Sequence, residues 1–236
     1  MLYSIMQNKL LTLFTVLLLP ITLSLGLWQL DRAAEKTQLL DSVQASGELR
    51  TIQSAAQLTH LPSFQHVQLS GRYLQPYMWF LDNQIWQGSV GVDVVGLVQL
   101  DDTLVLVNRG WQVWRDRSSQ PAVALVAGPV TLQGNMVAPS EKGLLLLADS
   151  PIGDYPQLLQ KIDMQLLQQQ LHLPLHSQVL YLNAASDTVL QAHWQAVNMT
   201  PAKHYGYAVQ WFGLGLTLCI LYLFRIYKFR QSRYLT

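Results

Sequence analysis

HYGYAVQWFGLGLTLCILYLF, from His204 to Phe224, is the stretch whose reading decides the fold. It holds no Asp, Glu, Lys or Arg. At 1.5 Å rise per residue it reaches about 30 Å as a helix, one bilayer core. Arg225, Lys228, Arg230 and Arg233 follow at once, with no acid among them. Basic residues beside a span mark its cytoplasmic side. Residues 225–236 are therefore expected inside, with His204 at the outer face, where water meets lipid.

A second apolar run lies upstream, from Leu10 to Leu30, preceded by Lys9 and interrupted only by Pro20. A proline inside a membrane helix is tolerated where neighbours satisfy the freed carbonyl. Ser24 and Gly26 are small enough for a signal-peptide cleavage site. The run is over-long for such a segment, however, and continues into Trp28, an interfacial anchor type. Asp31, Arg32, Glu35 and Lys36 end it sharply. The expected plan has a cytoplasmic N-terminus (1–9), a first transmembrane helix (10–30), an outer domain (31–203), a second transmembrane helix (204–224) and a basic tail (225–236).

Composition agrees with this plan. Half of the 236 residues are hydrophobic and 12% are charged, against roughly a quarter in soluble domains. Residues 31–203 carry fourteen acids and ten bases, a net of −4, while both flanks are purely basic. An acidic middle between basic ends suits a translocated loop and argues against nucleic-acid binding. The single cysteine, Cys219, falls inside the second run. It allows no internal disulfide and no CxxC pair for redox or copper chemistry.

The central section reads as mostly antiparallel β, a sandwich or barrel. His66–Leu74 alternates polar and apolar residues, and Tyr77–Leu81 is aromatic-rich. Asp82-Asn83 supplies turn chemistry before Val90–Leu100. Leu104–Val107 ends in Asn108-Arg109-Gly110-Trp111, and Val130–Val137 follows. Ala33–Val43 can prolong the first helix, and Thr51–Pro62 suits a short helix and a loop. Tyr155–Leu171 reads as an amphipathic helix with Leu158, Leu159, Ile162 and Leu166 in one stripe and Pro156 in its first turn. Gln178–Leu182 and Val189–Val197 are expected to close the sheet.

Few residues suggest chemistry. His172 and His176 have an i, i+4 spacing, but Pro174 lies between them and no carboxylate or third ligand is paired with them, so zinc is not expected. His60, His66 and His193 look isolated. No GxSxG elbow or glycine-rich phosphate loop is present. Arg109 could bind an anion, but a strand-end arginine on a turn is the commoner case. His204 has two readings. In one it is an interfacial histidine snorkelling beside Lys203 and Tyr205. In the other, Trp28 to Arg32 lie at the same depth, and Tyr207, Ala208 and Trp211 share its helix side. A flat iron macrocycle could then find an imidazole in His204, aromatic neighbours in Tyr207, Trp211 and Trp28, and cations in Arg32 and Lys203. Gln210 would bond to the other span or to the bound group.

The chain also resembles the Surfeit locus protein 1 family, assembly factors for cytochrome c oxidase. The likeness rests on GLWQLDRAAEK (26–36), a G-x-Y followed by LDNQ, VNRGW (107–111), APSEKG (138–143) and HYGYAVQWF (204–212), in that order. It implies a non-enzymatic, multi-pass protein of the bacterial-type inner membrane, with both termini cytoplasmic and the central domain periplasmic. It further implies help in maturing oxidase subunit I, contact with the haem a synthesis machinery, and transient binding of haem a, with His204 as iron ligand. Trp28, Arg32, Asn108, Arg109 and Gly110 match as structural or interface positions. The alternative is a membrane scaffold that binds no haem and steadies an assembly intermediate through protein contacts.

Overall fold

The computed structural model describes residues 9–139 and 154–234, so most of APSEKG and the outermost termini lie outside the described residues. It divides into a helical unit, built from the chain up to Asp41 and from Ala196 onward, and a β-rich unit, Ser42–Gln195.

The helical unit is built on α1 (Lys9–Ala45) and α3 (Pro201–Tyr234), both long and apolar enough to cross a membrane. The first helix continues well past Leu30, as the expected prolongation through Ala33–Val43 requires. Along α1 the buried positions are Thr15, Thr22, Gly26, Gln29 and Ala33, spaced by seven, four, three and four residues. That spacing is the seam of a helix packed along a partner. Along α3, His204, Ala208 and Gly215 form the matching seam. The pair runs antiparallel: Thr12 meets Tyr222 (Oγ1 to phenol oxygen, 3.3 Å), Gly215 faces Thr22, and Gly26 faces Phe212. A Cβ placed on Gly26 would stand 2.6 Å from Phe212 Cε1, so any side chain here must push that ring aside. Small residues let helix backbones approach in lipid, where the hydrophobic effect does not drive helices together. Pro20 is accommodated within α1, and the Thr15 and Thr22 hydroxyls donate to the carbonyls of Leu11 and Leu19 at 2.9 Å.

The β-rich unit is a ring. β2 (His66–Trp86) pairs with β3 (Ser89–Leu100), β3 with β4 (Thr103–Val113), β4 with β7 (Leu175–Leu182), and β7 with β5 (Pro129–Val137). β5 then returns to the first half of β2, closing a five-stranded barrel in which only β4–β7 is parallel. β1 (Arg50–Ile52) and β6 (Gln157–Leu159) add short parallel pairings to β2. The unbroken apolar runs of β3 and β4 reflect burial on both faces. Val98, Leu100, Val105 and Val107 join Val67, Leu69, Leu132, Met136, Leu180 and Leu182 in a core fed by all five strands. Val95, Leu97, Leu104 and Leu106 point the other way, into a second core with Trp79 and with Leu167 and Leu171 of α2 (Met164–Leu171).

Four local expectations are corrected. Asp82-Asn83 is no hairpin turn: β2 runs through it. The two residues stand opposite one residue of β3, between the Leu81–Asp93 and Gln84–Gly91 pairs, with Asn83 at φ +58°. This is a β-bulge, which uses the same residue types as a turn. The reversal comes at Gln87-Gly88, both at positive φ, the geometry of a tight two-residue hairpin. Arg109 does not end a strand on a turn, because β4 continues to Val113. The Tyr155–Leu171 helix is half strand: Gln157–Leu159 pairs with Trp79–Leu81, and α2 starts only after Asp163, whose carboxylate accepts from Leu166 N at 3.1 Å. Val189–Val197 contributes one isolated bridge, Gln191 to Trp111, and no strand.

Candidate functional site: a histidine and a glutamine on paired helices

Pro201 sits at the first position of α3, where its missing N–H costs nothing, and His204 lies in the first turn. Its main-chain N–H donates to Thr200 O at 3.4 Å. The side chain turns onto the helix seam and is 8% exposed; so is Gln29, which meets it from α1. Nδ1 of His204 lies 2.7 Å from Gln29 Oε1. An amide oxygen can only accept, so Nδ1 carries the proton. In the neutral ring the lone pair is then on Nε2, which has no hydrogen-bond partner among the described residues. Small residues flank the pair one turn away on each helix: Gly26 and Ala33 on α1, Ala208 on α3.

The other expected site residues are more open than this pair. Trp28 is 49% and Tyr207 43% exposed, and Trp211 is half-buried. Arg32 stacks over the Trp28 ring, its guanidinium carbon 5.8 Å from the centroid, and forms an ion pair with Glu35. The structure thus joins Trp28 to Arg32 and His204 to Gln29. Among the described residues, none of Trp28, Arg32, Tyr207 or Trp211 hydrogen-bonds to His204. Gln210, expected to reach the other span, is exposed; Gln29 makes that inter-helix bond instead. Its signal in the sequence was its place between Gly26 and Ala33 at seam spacing.

The first condition that a haem iron sets on these residues is the donor set. An axial imidazole needs a free nitrogen lone pair and, commonly, an acceptor that orients the ring from its other nitrogen. His204 with Gln29 supplies both. Among the described residues, no group of three His, Cys, Asp or Glu side chains could hold a bare metal ion.

The β-rich unit holds a polar cluster that the sequence does not announce. His193 is not isolated: its Nε2 meets Asp93 Oδ1 at 2.6 Å, and Asn108 Nδ2 donates to Asp93 Oδ2 at 2.7 Å. Asn108 Oδ1 in turn accepts from Gly110 N at 2.8 Å. Burial, with the Asp93 carboxylate adding to it, pushes the nearby Tyr181 phenol up to about 12, against a smaller opposing effect of the Asn108 hydrogen bond. His66 is engaged as well, taking the Asn183 amide at 2.9 Å on Nε2. Arg109 is buried, donating to the carbonyls of Thr188 (3.0 Å) and Ala124 (3.3 Å), with its guanidinium over the Tyr73 ring. Burial lowers its pKa, partly offset by Tyr73. Within VNRGW, Asn108 bonds to Gly110 N beside the bulge that Arg109 and Gly110 form opposite Val94 of β3, and Arg109 straps the segment after β7.

These features define a class: a protein with a closed β-barrel unit and two membrane-type helices, paired through a buried histidine. Residues 16–216 match the SURF1 family model, and the chain belongs to that family. Its members are in general assembly factors for cytochrome c oxidase rather than catalysts. The chain is similar to SURF1-like proteins of Rickettsia bellii (30% identity, 94% of this chain and 91% of the relative) and Rickettsia felis (27%, 92% and 96%). A third, from Rickettsia prowazekii, is 24% identical over 85% of this chain and 83% of its own.

Proposed function

We propose that this protein assists maturation of cytochrome c oxidase subunit I by holding haem a transiently at His204. The observation that carries the reading is the 2.7 Å contact between His204 Nδ1 and Gln29 Oε1, which leaves the lone pair of Nε2 to bind iron. Haem a would supply a ferric or ferrous iron that accepts one imidazole nitrogen. The rest falls to this chain. Gln29 fixes the ring, Gly26 and Ala208 keep the helices close enough for that bond, and exposed Trp28, Tyr205 and Tyr207 offer aromatic surface on the helix flanks. A single protein ligand makes the cargo removable, as delivery requires.

The proposed setting is a bacterial inner membrane crossed by α1 and α3, with residues 1–9 and 225–236 in the cytoplasm and the barrel in the periplasm. The basic cluster after Phe224 and the acidic middle support that orientation. The proposed partners are oxidase subunit I, the haem a synthesis machinery and the surrounding lipid. The test is reconstitution of the full chain in mild detergent with haem a. Wild type is expected to take up haem near one per chain, and His204→Ala to lose most of it. Equal uptake by both would leave the protein-contact scaffold as the better reading.

A further inference from the structure

Gln29 is a costly residue to bury on a lipid-crossing helix pair. A polar amide out of water needs partners, and here the side chain meets one ring nitrogen. It is also a particular choice of acceptor. Histidines that bind metals usually hand their second N–H to a carboxylate, a main-chain carbonyl or water, and a carboxylate raises the ligand's basicity the most. A neutral amide oxygen orients the ring equally well and adds no negative charge. Among the described residues no acid replaces it: the exposed Glu35 pairs with Arg32 and Lys36, and Asp31 is exposed.

We infer that Gln29 is the positioning residue that sets the exchange rate at His204. It holds the ring in the Nδ1-protonated form with Nε2 free, and, being uncharged, keeps the imidazole a ligand of moderate strength that can surrender its cargo. The inference rests on His204 as iron ligand and assigns to Gln29 the balance between capture and release. It predicts opposite effects for two substitutions of nearly the same size. Gln29→Leu keeps the volume and removes the acceptor. Gln29→Glu keeps the acceptor and adds charge.

The experiment uses the full chain in detergent micelles with two readouts. The first needs no haem: ¹⁵N-histidine-labelled protein, in which the His204 signal reports the proton-bearing nitrogen. Wild type is expected to show Nδ1–H, and Gln29→Leu a mixture of tautomers. A wild-type ring protonated on Nε2 alone overturns the inference whatever the variants do. The second is transfer of bound ferric haem a to excess apomyoglobin. Second-shell changes at metal-binding histidines shift affinity about 10- to 100-fold. Release is therefore expected to quicken about tenfold or more in Gln29→Leu and to slow by a similar factor in Gln29→Glu. Should the Glu variant not fold, the Leu arm decides alone. Wild-type release from folded Gln29→Leu, with His204→Ala still unable to bind, overturns the role of Gln29 and leaves His204 standing. Undiminished binding by His204→Ala removes the haem reading itself.

Discussion

Gln29 and His204 stand 175 residues apart in the chain, yet their side-chain atoms meet at 2.7 Å. That contact fixes how α1 and α3 face each other, because turning either helix by one residue moves its side chain about 100° around the axis. Thr22, Gly26 and Ala33 share the seam with Gln29, and Ala208 and Gly215 share it with His204. Position of the imidazole and packing of the helices are one property.

Packing at Gly26 is accordingly predicted to control the pair. Gly26→Ala sets a methyl carbon against the Phe212 ring and should destabilise the helices by about 1–3 kcal/mol. Phe212→Ala in the same chain should recover much of that, since the two positions touch. Unfolding in SDS titrations, followed by circular dichroism, measures both variants. Independent, additive losses would contradict the contact.

The Asp93–His193 pair should hold the barrel's last segment in place. Both side chains are largely buried, so removing the imidazole in His193→Ala leaves a carboxylate that, among the described residues, keeps Asn108 as its hydrogen-bond partner. Losing a hydrogen bond to a buried charged group costs about 1.5–3 kcal/mol. Thermal melting of the full chain in detergent should show a clear drop, and an unchanged Tm would place the pair outside the fold's stability.

Gly110 lies inside β4 at φ +100°, with the Gln191 carbonyl oxygen 2.4 Å from where a Cβ would sit. Gly110→Ala is predicted to cost about 1–3 kcal/mol in backbone strain and more in displaced chain. The Trp111 N to Gln191 O bond, 2.8 Å, should open with it. Amide hydrogen exchange at Trp111 reads this directly: faster exchange in the variant is expected, and wild-type protection would contradict the geometry.

Alkaline pH should weaken the β-rich unit through Tyr181. Its phenol titrates near 10 when unfolded and at about 12 in the fold. Between those values the unfolded chain has lost a proton that the folded chain keeps, so stability falls as pH rises. Stability from this group is complete below about pH 10 and gone above about 12, a change of order 1–3 kcal/mol. Tyr181→Phe should flatten that part of the profile in denaturant melts taken from pH 9 to 12. An identical slope in both proteins would count against it.

Which of these features the sequence discloses follows from how local their causes are. The two long helices are legible because an almost uninterrupted apolar run of that length is a strong helix signal, and β3 and β4 because residues buried on both faces leave a continuous apolar run. Asp82-Asn83 misleads because bulges and turns draw on the same residues. Leu158 and Leu159 mislead because pairing with Trp79–Leu81, far away in the chain, overrides their helical spacing. His193 looks solitary until the fold brings Asp93 to it across 100 residues. Gln29 hides for a different reason: in an apolar run a polar residue near the rim passes for an interface group until its seam partners are seen.

The most direct measurement is resonance Raman spectroscopy of the full chain loaded with ferrous haem a. An iron–imidazole stretching band that shifts on ¹⁵N-histidine labelling, disappears in His204→Gly and returns on adding free imidazole is the result predicted. The same band, unchanged in His204→Gly without imidazole, would contradict the account.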